Sequence, residues 1–244
     1  MAEACPSRGV PVPADGGSGV QVPADGGSGV QGTVDAGRVV MVVLFTLSMI
    51  SCGGRVWVAA RSGVPAGRAV LEVACGVVTA VFCALVVTAY LRRGPACATD
   101  RRPGIWLVAP AATCLPLVIP ALPVRPGGTG RSLLAFALIL TGTAWAVWSV
   151  RHLSTCLSVV PQARQLVDTG PYRLVRHPLY LGEMVTVTGF AVRGGHWLHW
   201  VVVAALVVLQ TYRAVHEETL LAVQVPGYAD YAARTWRLLP VPWR

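Results

Sequence analysis

Beyond residue 38 the chain is a succession of apolar runs of bilayer-crossing length, and this constrains the fold more than any single motif. They extend from Val39 to about Ala60 (interrupted by Arg55), from Ala69 to Tyr90 (Glu72 near its start), from Ile105 to Val124, from Ser132 to Val150, from Leu179 to Val192 and from His196 to about Tyr212. About 20 apolar residues span a bilayer as a helix. Only 13% of the chain is charged, against about a quarter in a soluble domain. The expected fold is therefore all-α, a polytopic membrane helix bundle of about six segments.

The third run carries Pro110, Pro116, Pro120 and Pro123; each removes a backbone donor and kinks a helix unless neighbours compensate. The last two runs are separated by Arg193-Gly194-Gly195, a tight turn that makes them a helical hairpin. At 1.5 Å per residue the arms rise roughly 21 Å and 25 Å, so Glu217 and Glu218 return to the membrane face holding Arg176 and His177. A short amphipathic helix from about Pro226 to Trp236 is expected to fold back over that face.

Three regions follow. Residues 1–36 form a Gly/Pro-rich tail with a tandem decamer, VPADGGSGVQ at 12–21 and again at 22–31, too polar to offset its ordering entropy and read as disordered. Residues 37–150 hold the N-terminal transmembrane helices, and residues 151–244 the candidate site. All 20 basic residues are arginine and the net charge is +9. The arginines sit as short clusters between apolar runs and not along one surface, which argues against nucleic-acid binding. With the N-terminus inside, the cytoplasmic side receives Arg92, Arg93, Arg101, Arg102, Arg151, Arg164, Arg173, Arg176, Arg213, Arg234, Arg237 and Arg244. The other side keeps Arg61, Arg68, Arg125, Arg131 and Arg193. The positive-inside rule thus predicts an integral membrane protein with its site facing the cytoplasm, and the arginine-only, lysine-free composition points to a bacterial plasma membrane. Seven cysteines show no CxxC or Cys/His spacing, so no metal site is expected.

The polar segment GPYRLVRHPLYLGE, residues 170–183, concentrates the chemistry. Arg176 and His177 stand before Pro178 at a helix entrance, where free backbone N–H groups collect and an anionic group can dock. Glu217 and Glu218 supply the complement, and together they suit a zwitterionic, amino-acid-bearing ligand. Blander readings stand beside this: Arg176 as an interfacial anchor, His177 satisfied by backbone, Glu217 paired with Arg213 one turn earlier. Glu183 is either a wall of the site or a charge snorkelling at the interface. His196 and His199, beside Trp197 and Trp200, read as part of an aromatic interface belt.

Taken in order, GPYRLVRHPLYLGE, the later HEETLL and the terminal PGYADYAARTWRLLPVPW resemble the isoprenylcysteine carboxyl methyltransferase family and its relatives among phospholipid methyltransferases. The matching positions are Arg176, His177, Pro178, Tyr180 and Gly182, then Glu217 and Glu218, then Gly227, Tyr228, Tyr231 and Pro240, and the resemblance covers roughly residues 145–244. It implies a membrane methyltransferase that binds S-adenosylmethionine between its last helices and a C-terminal cap, with a lipophilic acceptor or lipid arriving from the membrane. Carried over by position, Tyr172, His177, Pro178, Tyr180 and Gly182 would line the cofactor site, with 165–169 as a connector wall. Glu217 and Glu218 would contact the cofactor's polar groups and, with Arg176, form the catalytic set.

A carboxylate acceptor, already ionised near neutral pH, needs positioning more than a base, and O-methylation of an isoprenylcysteine-like carboxylate is the favoured reading. An amine acceptor, as in phospholipid N-methylation, would have to lose a proton. Two rivals have other consequences. The Gly182-Glu183 pair also resembles an element of the steroid 5-alpha reductase group, which would require NADPH, and a non-catalytic scaffold would bind neither cofactor.

Overall fold

The computed structural model describes residues 36–61, 66–92, 98–99, 103–125, 127–153, 162–163 and 166–239. The decamer tail, Arg93, Arg101, Arg102, Arg164, Gln165, Pro240, Arg244 and the cysteines at 5 and 97 lie outside the described residues. Within them the protein is all-α, with seven α-helices: α1 (Ala36–Arg61), α2 (Ala66–Leu91), α3 (Pro103–Cys114), α4 (Thr129–Leu153), α5 (Pro178–Gly194), α6 (Trp197–Gln224) and α7 (Tyr228–Arg234). Two two-residue strands, β1 (Ala98–Thr99) and β2 (Gln162–Ala163), pair antiparallel with Ala98 opposite Ala163.

Among the described residues, four helices are long and apolar enough to cross a membrane: Val39–Val58, Ala69–Leu91, Thr129–Leu153 and Trp197–Gln224. The six expected segments therefore resolve into four long spans and two shorter elements. The third segment is broken. Its α-helix, with Pro110 inside, stops at Cys114 and passes into a 3-10 helix over Leu115–Ala121. Pro116 and Pro120 fall within that stretch, where proline cannot supply the α-helical N–H. The fifth segment is a 17-residue helix.

The sixth runs further than its apolar composition suggests. Instead of ending near Tyr212, α6 continues to Gln224, so Glu217 and Glu218 lie on the helix itself. The hairpin turn forms as expected. Gly195, at φ 63°, caps α5 by donating its N–H to the Ala191 carbonyl at 3.0 Å, and the His196 ring accepts from the Leu198 N–H to start α6. The left-handed conformation at Gly195 is one that a side chain disfavours.

α5 lies most intimately against α4, along a seam of small residues. A Cβ on Gly182 would fall 2.8 Å from the Gly142 carbonyl oxygen and 2.9 Å from the Ala146 nitrogen, and one on Gly142 would fall 2.6 Å from Thr186. Between apolar helices in lipid, this close backbone approach supplies the association that the hydrophobic effect does not. Thr143 and Thr186 share a hydrogen bond across it at 3.3 Å. α2 packs on α4, and α1 packs on α2 while leaving Val39, Val43, Leu47, Ile50 and Trp57 exposed, as suits a lipid-facing helix. Arg193, at the far end of α5, pairs with Glu72 of α2.

Candidate active site at the base of the helical hairpin

The segment before α5 is a 3-10 turn, Gly170–Arg173, that opens on Gly170 at φ 58° and buries Pro171 and Tyr172. Pro178 then occupies the first turn of α5, where its missing N–H breaks no helical bond. His177 stands at the N-cap with its carbonyl accepting from the Leu181 N–H at 3.2 Å. This fixes Arg176 and His177 at the mouth of the hairpin.

The chain returns to the same place twice. First, α6 brings Glu217 and Glu218. Then, after α7, residues 236–237 run parallel to residues 174–177: the Arg176 N–H donates to the Trp236 carbonyl at 2.7 Å, the His177 N–H to the Arg237 carbonyl at 3.1 Å, and the Trp236 N–H to the Leu174 carbonyl at 3.2 Å. The Tyr231 hydroxyl adds a bond to the Tyr172 carbonyl at 2.9 Å. The C-terminal helix is shorter than the amphipathic stretch expected from 226 to 236, since Gly227 at φ 78° delays its start and Thr235 is already extended.

Side chains from these elements form one ionic network. Glu218 is its hub. It accepts from Arg176 Nη1 at 3.1 Å, from Arg237 Nε at 3.0 Å and from Arg237 Nη2 at 2.8 Å, and its Oε1 lies 3.1 Å from His177 Nε2. Glu217 accepts from the Tyr180 hydroxyl at 2.6 Å and faces His177 Nδ1 at 3.5 Å. His177 is stacked on Tyr180, with ring centroids 5.3 Å apart and planes 9° from parallel.

Electrostatics follow from these positions. Burial of His177 disfavours its charged form, but hydrogen bonds and charges from Glu217 and Glu218 outweigh this and raise its pKa above the ordinary imidazole value. Burial, reinforced by the Glu218 charge, pushes the Tyr228 hydroxyl up; burial does the same for Tyr231. The Arg237 guanidinium is held more firmly charged, chiefly by its bonds to Glu218.

Of the residues expected at the site, Tyr172, Arg176, His177, Pro178, Tyr180, Glu217 and Glu218 are gathered at the hairpin base. Gly182 is not part of the network: it faces α4. Arg176 is more than an anchor, and Glu217 accepts a hydrogen bond from Tyr180 and faces His177 while also feeling the charge of Arg213. Glu183 does not snorkel; it accepts from the Gln210 amide inside the hairpin. His199 is buried against Gly194, whereas Trp197 and Trp200 are exposed as an interface belt requires.

Two participants escaped sequence reasoning. In the sequence Arg237 reads only as a topological charge; its place depends on the return of the chain after α7, which no local pattern encodes. Gln210 was absorbed into an apolar run, although its signal was available: Gln210, Arg213 and Glu217 are spaced three and four apart and share one helix face.

The chain is 29% identical over 149 residues to the nickel-cobalt-cadmium resistance protein NccN of Alcaligenes xylosoxydans xylosoxydans, covering 58% of this chain and 66% of that protein. It is 30% identical over 148 residues to the cobalt-zinc-cadmium resistance protein CzcN of Cupriavidus metallidurans, covering 58% and 65% respectively. The matched part thus spans just under two thirds of the length of either bacterial relative. Residues 131–224, which hold α4, α5 and most of the ionic network, match the family model of the phospholipid methyltransferases.

Proposed function

We propose that the protein is a membrane-embedded, S-adenosylmethionine-dependent methyltransferase acting on a lipophilic acceptor, with its site open to the cytoplasm. The observation that carries this reading is the coincidence of the phospholipid methyltransferase match with a buried network of paired carboxylates, guanidiniums and imidazole at the polar end of the hairpin. The donor set fits the amino-acid moiety of such a cofactor. Arg176 Nε is buried without a hydrogen-bond partner of acceptable geometry, although the Tyr228 hydroxyl lies beside that guanidinium; a carboxylate oxygen is the acceptor it lacks. Glu217, with two partners, retains acceptor capacity for an ammonium group.

When bound, S-adenosylmethionine supplies a sulfonium methyl open to in-line displacement. Arg176, His177, Tyr180, Glu217 and Glu218 would hold and orient it, with Tyr172 and Pro178 behind them. The closely packed α4–α5 seam keeps water from the apolar side, and catalysis rests on positioning and water exclusion. The favoured acceptor is a lipophilic carboxylate, as the resemblance to isoprenylcysteine carboxyl methyltransferases implies. The match to phospholipid methyltransferases supports, as a second reading, an amine headgroup that must first lose a proton.

Calorimetric titration of the detergent-purified protein with S-adenosylhomocysteine and, separately, NADPH tests the reading. Saturable binding of S-adenosylhomocysteine alone, lost in Glu217→Ala/Glu218→Ala protein that remains monodisperse and helical, is expected. Binding of NADPH alone would replace it with the reductase, and binding of neither would leave a scaffold. Since the two relatives are metal-resistance proteins by name, lipid extracts of bacteria grown with and without cobalt or cadmium are the acceptor source to try next.

A further inference from the structure

A second polar chain lies deeper in the hairpin than the network around Glu218, and the proposed reaction uses only the two residues at its end, Tyr180 and Glu217. Glu183 of α5 accepts a hydrogen bond from Gln210 Nε2 of α6, and Gln210 Oε1 accepts from Arg213 Nη1 at 3.1 Å. The Arg213 guanidinium lies over the Tyr180 ring, 4.7 Å from its centroid, and the Tyr180 hydroxyl donates to Glu217. Gln210 is wholly buried, and Arg213 nearly so, within the longest apolar span.

Polar groups at this depth are expensive unless they answer one another, and those that persist in spanning helices commonly have a task. One turn further in, the chain is sealed by apolar side chains. Val187 lies four residues beyond Glu183, Leu206 lies four before Gln210, and both are buried with Leu115 and Ile119 of the proline-broken 3-10 segment against them. The broken third segment therefore packs against the apolar layer that adjoins the polar chain.

The order of residues gives the chain a direction. An arginine can only donate, so it fixes the Gln210 amide with its oxygen toward Arg213; the NH₂ end must then find an acceptor, and Glu183 is that acceptor. Replacing Glu183 by an apolar residue leaves the buried Gln210 NH₂ group without its acceptor. The Gln210 side chain must then shift to find another, its oxygen moves with it, and Arg213 loses the contact that holds it over Tyr180. We infer that Glu183 and Gln210 are positioning residues that hold Arg213 over Tyr180 and so aim the Tyr180 hydroxyl at Glu217. Neither residue has to touch cofactor or acceptor for this role.

The inference makes a specific demand on conservative variants. A glutamine at 183 still presents a carbonyl oxygen to the Gln210 NH₂ group, so the orientation survives without the charge. The test incorporates 3-fluorotyrosine at Tyr180 in the full chain, purified in detergent, and records the fluorine resonance in wild type, Glu183→Leu, Glu183→Gln, Gln210→Leu and the Glu183→Leu/Gln210→Leu double variant. Glu183→Leu and Gln210→Leu are expected to move the resonance to a similar new position, the double variant to add nothing, and Glu183→Gln to return it to the wild-type position. An unmoved resonance in Glu183→Leu overturns the inference. So do additive shifts of the two single variants, or Glu183→Gln behaving like Glu183→Leu.

This readout needs no ligand, so failure of the methyltransferase reading leaves it intact. Should S-adenosylhomocysteine bind wild type, its affinity is expected to fall about tenfold in Glu183→Leu, a factor set by about 1.4 kcal/mol, and to recover to within about twofold in Glu183→Gln. Affinity unchanged in a variant whose fluorine signal has moved would dissociate Tyr180 from ligand binding and refute the methyltransferase reading's use of that residue, while the positioning inference stands.

Discussion

Removing the Glu218 carboxylate is the sharpest perturbation the network allows. Its partners differ in a way that sets the magnitude: Glu218 and Arg176 have side chains 10% and 13% exposed, whereas Arg237 is 46% exposed. Taking one partner from a buried ion pair leaves an uncompensated charge and costs about 3–5 kcal/mol; losing a half-exposed pair costs about 1 kcal/mol or less. Glu218→Ala leaves Arg176 and His177 facing each other without their shared anion, while Arg237→Ala leaves Glu218 still bonded to both. At about 2–4 °C per kcal/mol for a chain of this size, Glu218→Ala should lower the melting temperature by about 6–20 °C and Arg237→Ala by about 4 °C at most. Tryptophan fluorescence during heating, at one scan rate in one detergent, compares them. In the Glu218→Ala background a further Arg176→Ala change should cost much less than it does in wild type, since its partner has already gone. The hub assignment is wrong if Glu218→Ala melts no lower than Arg237→Ala, or if Arg176→Ala costs the same in both backgrounds.

Other consequences follow from single residues. The folded-state pKa of His177 is raised, so its contribution is fully present below the unfolded imidazole value near 6.5 and is lost as pH rises through the higher folded value. The melting difference between wild type and His177→Gln should accordingly shrink above neutral pH, and a constant or widening gap would contradict the assignment. Gly182→Ala drives a methyl to 2.8 Å from the Gly142 carbonyl oxygen and should destabilise by about 1–3 kcal/mol. Gly130→Ala, with nothing within 4 Å, serves as its control and should not lower the melting temperature. Gly195→Ala, at φ 63°, should cost about 1 kcal/mol, read in the same assay.

Much of the architecture was legible because the bilayer imposes a length on apolar helices. The four long spans follow from that, as does the hairpin punctuated at Gly194-Gly195. Composition misleads where hydrophobicity and helicity part company. Ile105–Val124 is apolar throughout, yet its prolines divide it into a short α-helix and a 3-10 helix. α6 outlasts its apolar stretch by three turns because its polar end is held by tertiary partners. At the site, Arg176, His177, Tyr180, Glu217 and Glu218 could be named from type and order, since a hairpin of known rise brings the two groups level. Their pairing could not. Sequence offered a cationic dock and an anionic complement for a ligand; the structure shows them neutralising each other, with Arg237 inserted from the C-terminal strap.

That mutual neutralisation changes how a zwitterion would enter. Glu218 is saturated, and of its partners only Arg237 is substantially exposed, so an ammonium group would have to displace Arg237 to reach it. That displacement would cost the Arg237 side chain its bonds to Glu218, although the Trp236 and Arg237 carbonyls would still hold the backbone strap to the Arg176 and His177 N–H groups. Glu217 carries no such constraint. It has two partners, both within the hairpin, and can accept another donor while the strap stays in place. A ligand carboxylate meets the complementary choice at Arg176, whose Nε is uncommitted while Nη1 is held by Glu218. Engagement of Glu217 and Arg176 Nε would thus preserve every bond of the hub, and under the proposed function Glu218 would organise the site while Glu217 met the ligand. Glu217→Gln should then weaken S-adenosylhomocysteine binding with little change in melting temperature, whereas Glu218→Gln should lower both; a Glu217→Gln protein that binds normally would refute this division of labour.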